Sequence, residues 1–286
     1  MVSLASRVAG KIASVYAKRY HQEPRDCFDK VSKNSLLSFY SNNYSQRGQD
    51  GILNEIFRRL NIKTGFFVEF GGWDGVYLSN CRSLFEKGWS GVFIEGDSIK
   101  ASQCQKNYQS PDVQIINSMV GAPNYGCPGK NLSSLLTDSS ISPDLVTFVS
   151  IDVDGFDLEI FLDMGFRPLV VLLEGGFAFS PLLSPSVHIA TEYSSKNIQQ
   201  PFPYICEQVA KSGYSVVSFL QDAYLVRTDL AGEFEKYSPL QLFSDAWFYL
   251  KPSERHAVMS MREKKSIIVK TETEHLGRFC QDPLGY

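Results

Sequence analysis

The sequence has no apolar run approaching the roughly 20 residues that a bilayer-spanning helix requires. Its densest stretch, Pro168 to Leu173, is short and rich in β-branched residues. A membrane span is excluded, and a soluble, cytoplasmic protein is expected. Positive charge is not in surplus either: 28 Lys and Arg stand against 31 Asp and Glu, a formal net charge of -3. That balance gives no basic field to hold nucleic acid or an anionic membrane surface. Six cysteines are scattered with no C-x-x-C pair and no local Cys/His spacing, so neither a zinc site nor a dense disulfide framework is suggested, and reduced thiols are expected. Histidine is scarce, at four residues, and the chain shows no internal repeat, low-complexity block or linker.

What is present is a chain of 286 residues, 43% hydrophobic, long enough to bury a substantial core. One domain is expected over residues 1–286, with a helical extension at 1–44, a core at 45–230 and a C-terminal extension at 231–286. In the first segment Leu4, Val8, Ile12 and Val15 fall on one helical face beside Arg7, Lys11, Lys18 and Arg19. The pattern reads as a packing or interface helix, and it lacks the apolar block and small-residue cleavage site of a secretory signal. A second helix is expected over Gln46 to Leu60, with Ile52, Leu53, Ile56, Phe57 and Leu60 on one side.

Short apolar runs then alternate with helical or turn-rich stretches: Gly65 to Phe70, Ser90 to Glu95, Val113 to Asn117, Leu145 to Asp152 and Leu169 to Glu174. Runs of that kind are buried parallel strands, and their alternation predicts an α/β sheet covered on both faces. Helices are expected over Ser79 to Lys87 and Leu158 to Met164, each stopped by a glycine, and over Ile205 to Lys211. Between 175 and 203 lie four prolines (Pro181, Pro185, Pro201, Pro203), which imply a long loop. Tyr214 to Leu220 and Tyr224 to Thr228, joined by the turn-like Gln221, Asp222 and Ala223, read as a closing hairpin.

The chemistry concentrates in Phe66 to Asn80, FFVEFGGWDGVYLSN, where an apolar run ends in Glu69 and passes into Gly71, Gly72 and Gly75. Glycines there let the backbone turn sharply and let a ligand approach closely. Twenty residues past Gly75 the next run ends in Glu95, where a carboxylate can accept hydrogen bonds from both hydroxyls of a ribose. Together they describe a nucleoside site. The loop lacks the G-x-G-x-x-G order of dinucleotide binders, and Glu69 would repel a pyrophosphate. A ligand with a ribose, no phosphate and a positive charge fits, and S-adenosylmethionine meets that description. The glycine order disfavours a nucleotide-dependent oxidoreductase.

With SQRGQD (Ser45 to Asp50), GWSGVFIEGD (Gly88 to Asp97) and SIDVDGFD (Ser150 to Asp157) added, the sequence resembles the FkbM-type methyltransferase family over about residues 45 to 180. The resemblance implies a Rossmann-like, seven-stranded, mostly parallel sheet with one antiparallel edge strand and helices on both faces. It also implies S-adenosylmethionine as cofactor. Glu69, Gly71 and Gly75 would line its methionine end, Glu95 would hold the ribose with Asp97 just beyond, and Asn117 and Ser118 would reach the adenine. Gln46 and Asp50, in the family's helix motif, would sit near the cofactor. The chain departs from the family at Cys81, where a threonine is expected.

Asp152 and Asp154 close the fourth run and suit oxygen ligation of Mg²⁺ or another divalent cation. One of them, or Glu174 at the next strand tip, can instead serve as general base on a hydroxyl, and His188 in the long loop is a further candidate base. Asp152 can also face the cofactor's amino group, with Asp154 capping the next helix. The resemblance implies O-methylation of a small-molecule acceptor, a sugar or glycan hydroxyl or another metabolite. A non-catalytic nucleoside-binding or assembly module on the same fold is the alternative. The segments outside the core are the places for acceptor choice or homo-oligomer contacts. Trp247, Phe248 and Tyr249 read as core or interface, and Arg262 to Lys265 as a solvated helix face.

Overall fold

The computed structural model describes residues 36–153, 155–176, 179, 185 and 199–249, with side chains to 246. The expected helix within residues 1–20, the aromatic side chains of 247–249, the basic face at 262–265, Asp154 and His188 lie outside the described residues.

The five apolar runs form strands β1 (Phe66–Phe70), β2 (Ser90–Glu95), β3 (Val113–Asn117), β4 (Val146–Ile151) and β5 (Val170–Glu174), and the hairpin forms β6 (Tyr214–Leu220) and β7 (Asp222–Arg227). They make one seven-stranded sheet in the order β3-β2-β1-β4-β5-β7-β6. β1 to β5 are mutually parallel, and β7 is antiparallel to both its neighbours. The antiparallel strand is therefore set one place in from the edge, and the edge strand β6 runs with the parallel set. The alternation of apolar runs predicts the parallel sheet, and its seven-stranded Rossmann-like form is the one the resemblance implies. The hairpin is tighter than its sequence suggests. Leu220 pairs with Asp222, and Gln221 alone turns the chain with a left-handed φ of 63°.

Around the sheet lie helices α1 (Gln49–Arg59), α2 (Arg82–Phe85), α3 (Ser98–Asn107), α4 (Leu132–Asp138), α5 (Asp157–Leu162), α6 (Phe202–Lys211) and α7 (Pro239–Tyr249). The apolar face of α1 is seated by Phe57, whose ring meets Phe148 of β4 at 5.6 Å and Trp89 at 4.7 Å. At the other end of the sheet Phe202 of α6 stacks on Phe219 of β6 at 3.8 Å. Where a long helix is expected over 79–87, only Arg82–Phe85 is helical, because the residues before it are bound to a strand tip. No helix among the described residues is long and apolar enough to cross a membrane.

The sheet order has one point at which the strand sequence reverses. The chain runs outward from β1 through β2 to β3, then returns to the far side of β1 as β4. Crossovers leave in opposite directions at that point and open a crevice above the carboxyl ends of β1 and β4.

Candidate functional site

Strand register sets out the floor of this crevice. Phe93, Glu69, Ser150, Leu172 and Tyr224 lie side by side across β2, β1, β4, β5 and β7, so their side chains share one face. Two residues further along, Glu95, Asp152, Glu174 and Asp222 come up on that same face at the strand tips. Glu174 stands directly opposite Asp222. Four of the chain's acids thus form a row along one edge. β1 adds nothing to the row because its chain turns away at Gly71, whose φ is +72°. A Cβ at that position would stand 1.9 Å from the backbone oxygen of Asp152. Only glycine lets the loop pass so closely against the end of β4.

Glu69, expected to line the ligand, braces the loop. It is 4% exposed, and its carboxylate accepts from the Ser79 hydroxyl at 2.7 Å, Asn80 N at 2.8 Å and Cys81 N at 3.0 Å. Burial raises it to about 7, against the pull of those three donors. Asn80 carries the bracing on, donating from Nδ2 to the Ser150 hydroxyl at 3.0 Å. Cys81 beside them is buried completely. At the far side of the loop Gly75 has φ +75°, and a Cβ there would press on Cys104 Sγ at 2.6 Å.

Glu95 is half-buried and turned to the crevice. Each of its oxygens takes one backbone donor, Oε2 from Trp73 N at 3.0 Å and Oε1 from Asp97 N at 2.8 Å. A carboxylate has about four acceptor positions, so both oxygens keep capacity for a diol. Asp97 is the N-cap of α3, accepting from Ile99 N and Lys100 N. Asn117 donates from Nδ2 to the Glu95 carbonyl oxygen at 2.7 Å, and Ser118 N donates to the same oxygen at 3.1 Å. These two hold the β2 turn in place from β3.

The SQRGQD segment is organised by Asp50. Its Oδ2 accepts from Asn43 N, Tyr44 N, Ser45 N and the Ser45 hydroxyl, all within 2.9 Å. Gln46 is exposed, while its neighbour Gln49 is buried and donates from Nε2 to Asp222 Oδ2 at 2.7 Å. That hydrogen bond spans 173 positions and ties the start of α1 to the acid row. Burial raises Asp222 to about 7, with Asp152 adding to the effect and Arg47 opposing it.

Asp152, Asp157 and Glu174 bring carboxylate oxygens within 4.8 Å of one another. Asp157 is 2% exposed and closes the turn after β4 by accepting from Val153 N at 2.8 Å and Gly155 N at 2.9 Å. Burial first, and then the neighbouring Asp152, raise it to about 8. Among the described residues, those brought to Asp152 are thus Asp157, which the sequence places at the start of a helix, and Glu174. Gln49 and Asp222 also escape sequence reasoning, since nothing local links them and Asp222 reads as turn. An acid beside Gln221 at a strand start was the available signal.

The chain matches no family model and no curated protein. Among solved structures it is similar to an S-adenosylmethionine-dependent methyltransferase from Aquifex aeolicus, at 10% identity and a TM-score of 0.34, over 71% of this chain and 96% of that one. It is also similar to an S-adenosylmethionine-dependent methyltransferase from Thiobacillus denitrificans in complex with S-adenosyl-L-homocysteine, at 14% identity and a TM-score of 0.35, over 83% of this chain and 91% of that one.

Proposed function

We propose that the chain binds S-adenosylmethionine at the carboxyl edge of the sheet and transfers its methyl group to a hydroxyl of a sugar or another small metabolite. The observation that carries this reading is the half-buried Glu95 at the tip of β2, beside the glycine turn at the tip of β1, where Gly71 takes a left-handed backbone against the Asp152 carbonyl. An acid row of Glu95, Asp152, Glu174 and Asp222 repels phosphates and attracts a nucleoside bearing a sulfonium and an ammonium. Bound there, such a cofactor supplies a methyl group activated by its positive sulfur.

Glu95 accepts from the ribose diol, the Gly71 turn admits the methionine portion, and exposed Asp152 faces the ammonium. Asn117 and Ser118 set the wall for the adenine. Glu174 faces the acceptor and takes its hydroxyl proton directly, or the trio of Asp152, Asp157 and Glu174 holds a divalent cation such as Mg²⁺ that assists its loss. Glu69 and Asp50 act through the backbone they fix.

Titration calorimetry with S-adenosylmethionine and, separately, NAD tests the reading. The former is expected to bind and the latter not; failure of S-adenosylmethionine to bind sinks it. Glu95→Ala is expected to weaken binding by about 1 to 3 kcal/mol through loss of charged hydrogen bonds. Turnover over a panel of sugar acceptors with and without EDTA then decides the role of the carboxylate trio. Unchanged turnover after chelation assigns proton transfer to Glu174.

A further inference from the structure

The loop between β1 and α2 holds a residue that local energetics disfavour twice. Trp73 adopts φ +54°, a left-handed backbone that a bulky side chain rarely takes, and its indole is 51% exposed. Strain of this kind persists where surrounding structure enforces it, and it gathers at binding sites. The enforcement is visible. Trp73 N donates to Glu95 Oε2, Gly75 N donates to Gly72 O, the Asp74 carboxylate accepts from Val76 N and Tyr77 N, and Asn107 Nδ2 donates to Asp74 O. The Lys100 ammonium sits 4.1 Å from the indole centroid, so one face of the ring carries a cation. Among the described residues no aromatic ring packs on Trp73.

The geometry points to Trp73 as a wall of the nucleoside half of the ligand site, with Lys100 as the residue that positions the indole. The inference rests on the proposed nucleoside site and adds a residue to it. A ribose hydrogen-bonded to Glu95 lies next to the residue whose own N–H occupies that carboxylate. An apolar plane there covers the uncharged ribose and base, whose faces accept aromatic contact. The loop holds the plane in place before the ligand arrives, which lowers the ordering cost of binding.

Trp73→Gly isolates the effect, because glycine removes the indole and accepts φ +54° without strain. The variant is expected to keep the unfolding midpoint of the parent protein while losing about tenfold in affinity. Calorimetry with adenosine and with S-adenosylmethionine should show the same factor for both ligands. Equal loss identifies a contact to the nucleoside; loss for S-adenosylmethionine alone, or no loss for either, overturns the inference. If Trp73→Gly fails to fold, Trp73→Phe is the test. It should bind adenosine within about threefold of the parent and lose the part of the adenosine-induced change in emission that comes from Trp73. An emission change that survives Trp73→Phe in full overturns the inference. Lys100→Met should weaken adenosine binding in the parent and have no further effect in Trp73→Gly; additive losses remove Lys100 from the positioning role. A parent protein that binds adenosine but not S-adenosylmethionine discards the cofactor reading and leaves the Trp73 wall standing. One that binds neither discards both.

Discussion

At the residue scale, Glu69 and Glu95 show how similar sequence signals separate into different work. Both lie close to the end of an apolar run and a glycine, yet Glu69 sits inside β1 with Phe70 after it, is 4% exposed and accepts three donors from its own chain, whereas Glu95 is the last residue of β2 and half-buried at the crevice. The E-x-G-x-x-x-G spacing was enough to find the turn. It could not tell that Ser79 and Asn80 would fold back onto the acid, because that depends on the loop's path in three dimensions. Glu69→Gln places an amide N–H₂ against backbone N–H donors and leaves at least one of them unpaired in the interior. It should destabilise the fold by about 1 to 3 kcal/mol, read as a lower midpoint in urea with an unchanged slope. Glu95→Ala should leave that midpoint nearly where it was and weaken ligand binding. If the two variants exchange these phenotypes, the assignment of brace and ligand-facing acid is reversed.

At the element scale, the parallel strands were legible because a strand buried on both faces is apolar throughout, and β1 to β5 each fall within an expected run. The helices between them were less so. In α3, SIKASQCQKN, only Ala101 and Cys104 are buried, too few to set an apolar period. α3 is instead fixed at its start. Asp97 stands at the N-cap and its Oδ1 accepts from Ile99 N at 2.8 Å and Lys100 N at 3.0 Å. The sequence EGDS carries a cap signal at the same residue for which the resemblance implies a place beside the ligand. Asp97→Ala should destabilise by about 1 kcal/mol by leaving first-turn donors without a side-chain acceptor. Asp97→Asn, which keeps a capping oxygen, should recover most of that. If both variants instead lose ligand affinity with no change in unfolding midpoint, Asp97 is a ligand residue and the cap is incidental.

At the scale of the whole molecule, the sheet order carries information that no local pattern holds. It brings Gln49, Glu95, Asp152, Asp157, Glu174 and Asp222 to one edge, although Gln49 and Asp222 are 173 positions apart. Gathering acids there has a cost that depends on pH. Burial raises Glu69 and Asp222 to about 7 and Asp157 to about 8, above the usual carboxylate range. A carboxyl whose folded value is raised binds its proton more tightly in the native state. Its contribution to stability is complete below its unfolded value, near 4, and is lost as pH climbs through 7 to 8. Glu55 works in the opposite sense: hydrogen bonds from Arg58 and Arg59 lower it to about 2, so its contribution holds above the unfolded value and fades as pH falls towards 2. The unfolding temperature is therefore expected to be highest near pH 5 and to decline towards pH 8, and Asp222→Asn should flatten the decline. A cationic ligand reverses the trend for binding. Positive charge favours the ionised acids, so S-adenosylmethionine should bind more tightly at pH 8 than at pH 6 and release protons as it does, while neutral adenosine shows little pH dependence. Calorimetry in two buffers of different ionisation enthalpy counts those protons. Proton uptake on binding S-adenosylmethionine, or equal pH dependence for the two ligands, would show that the acid row does not face the ligand's charge.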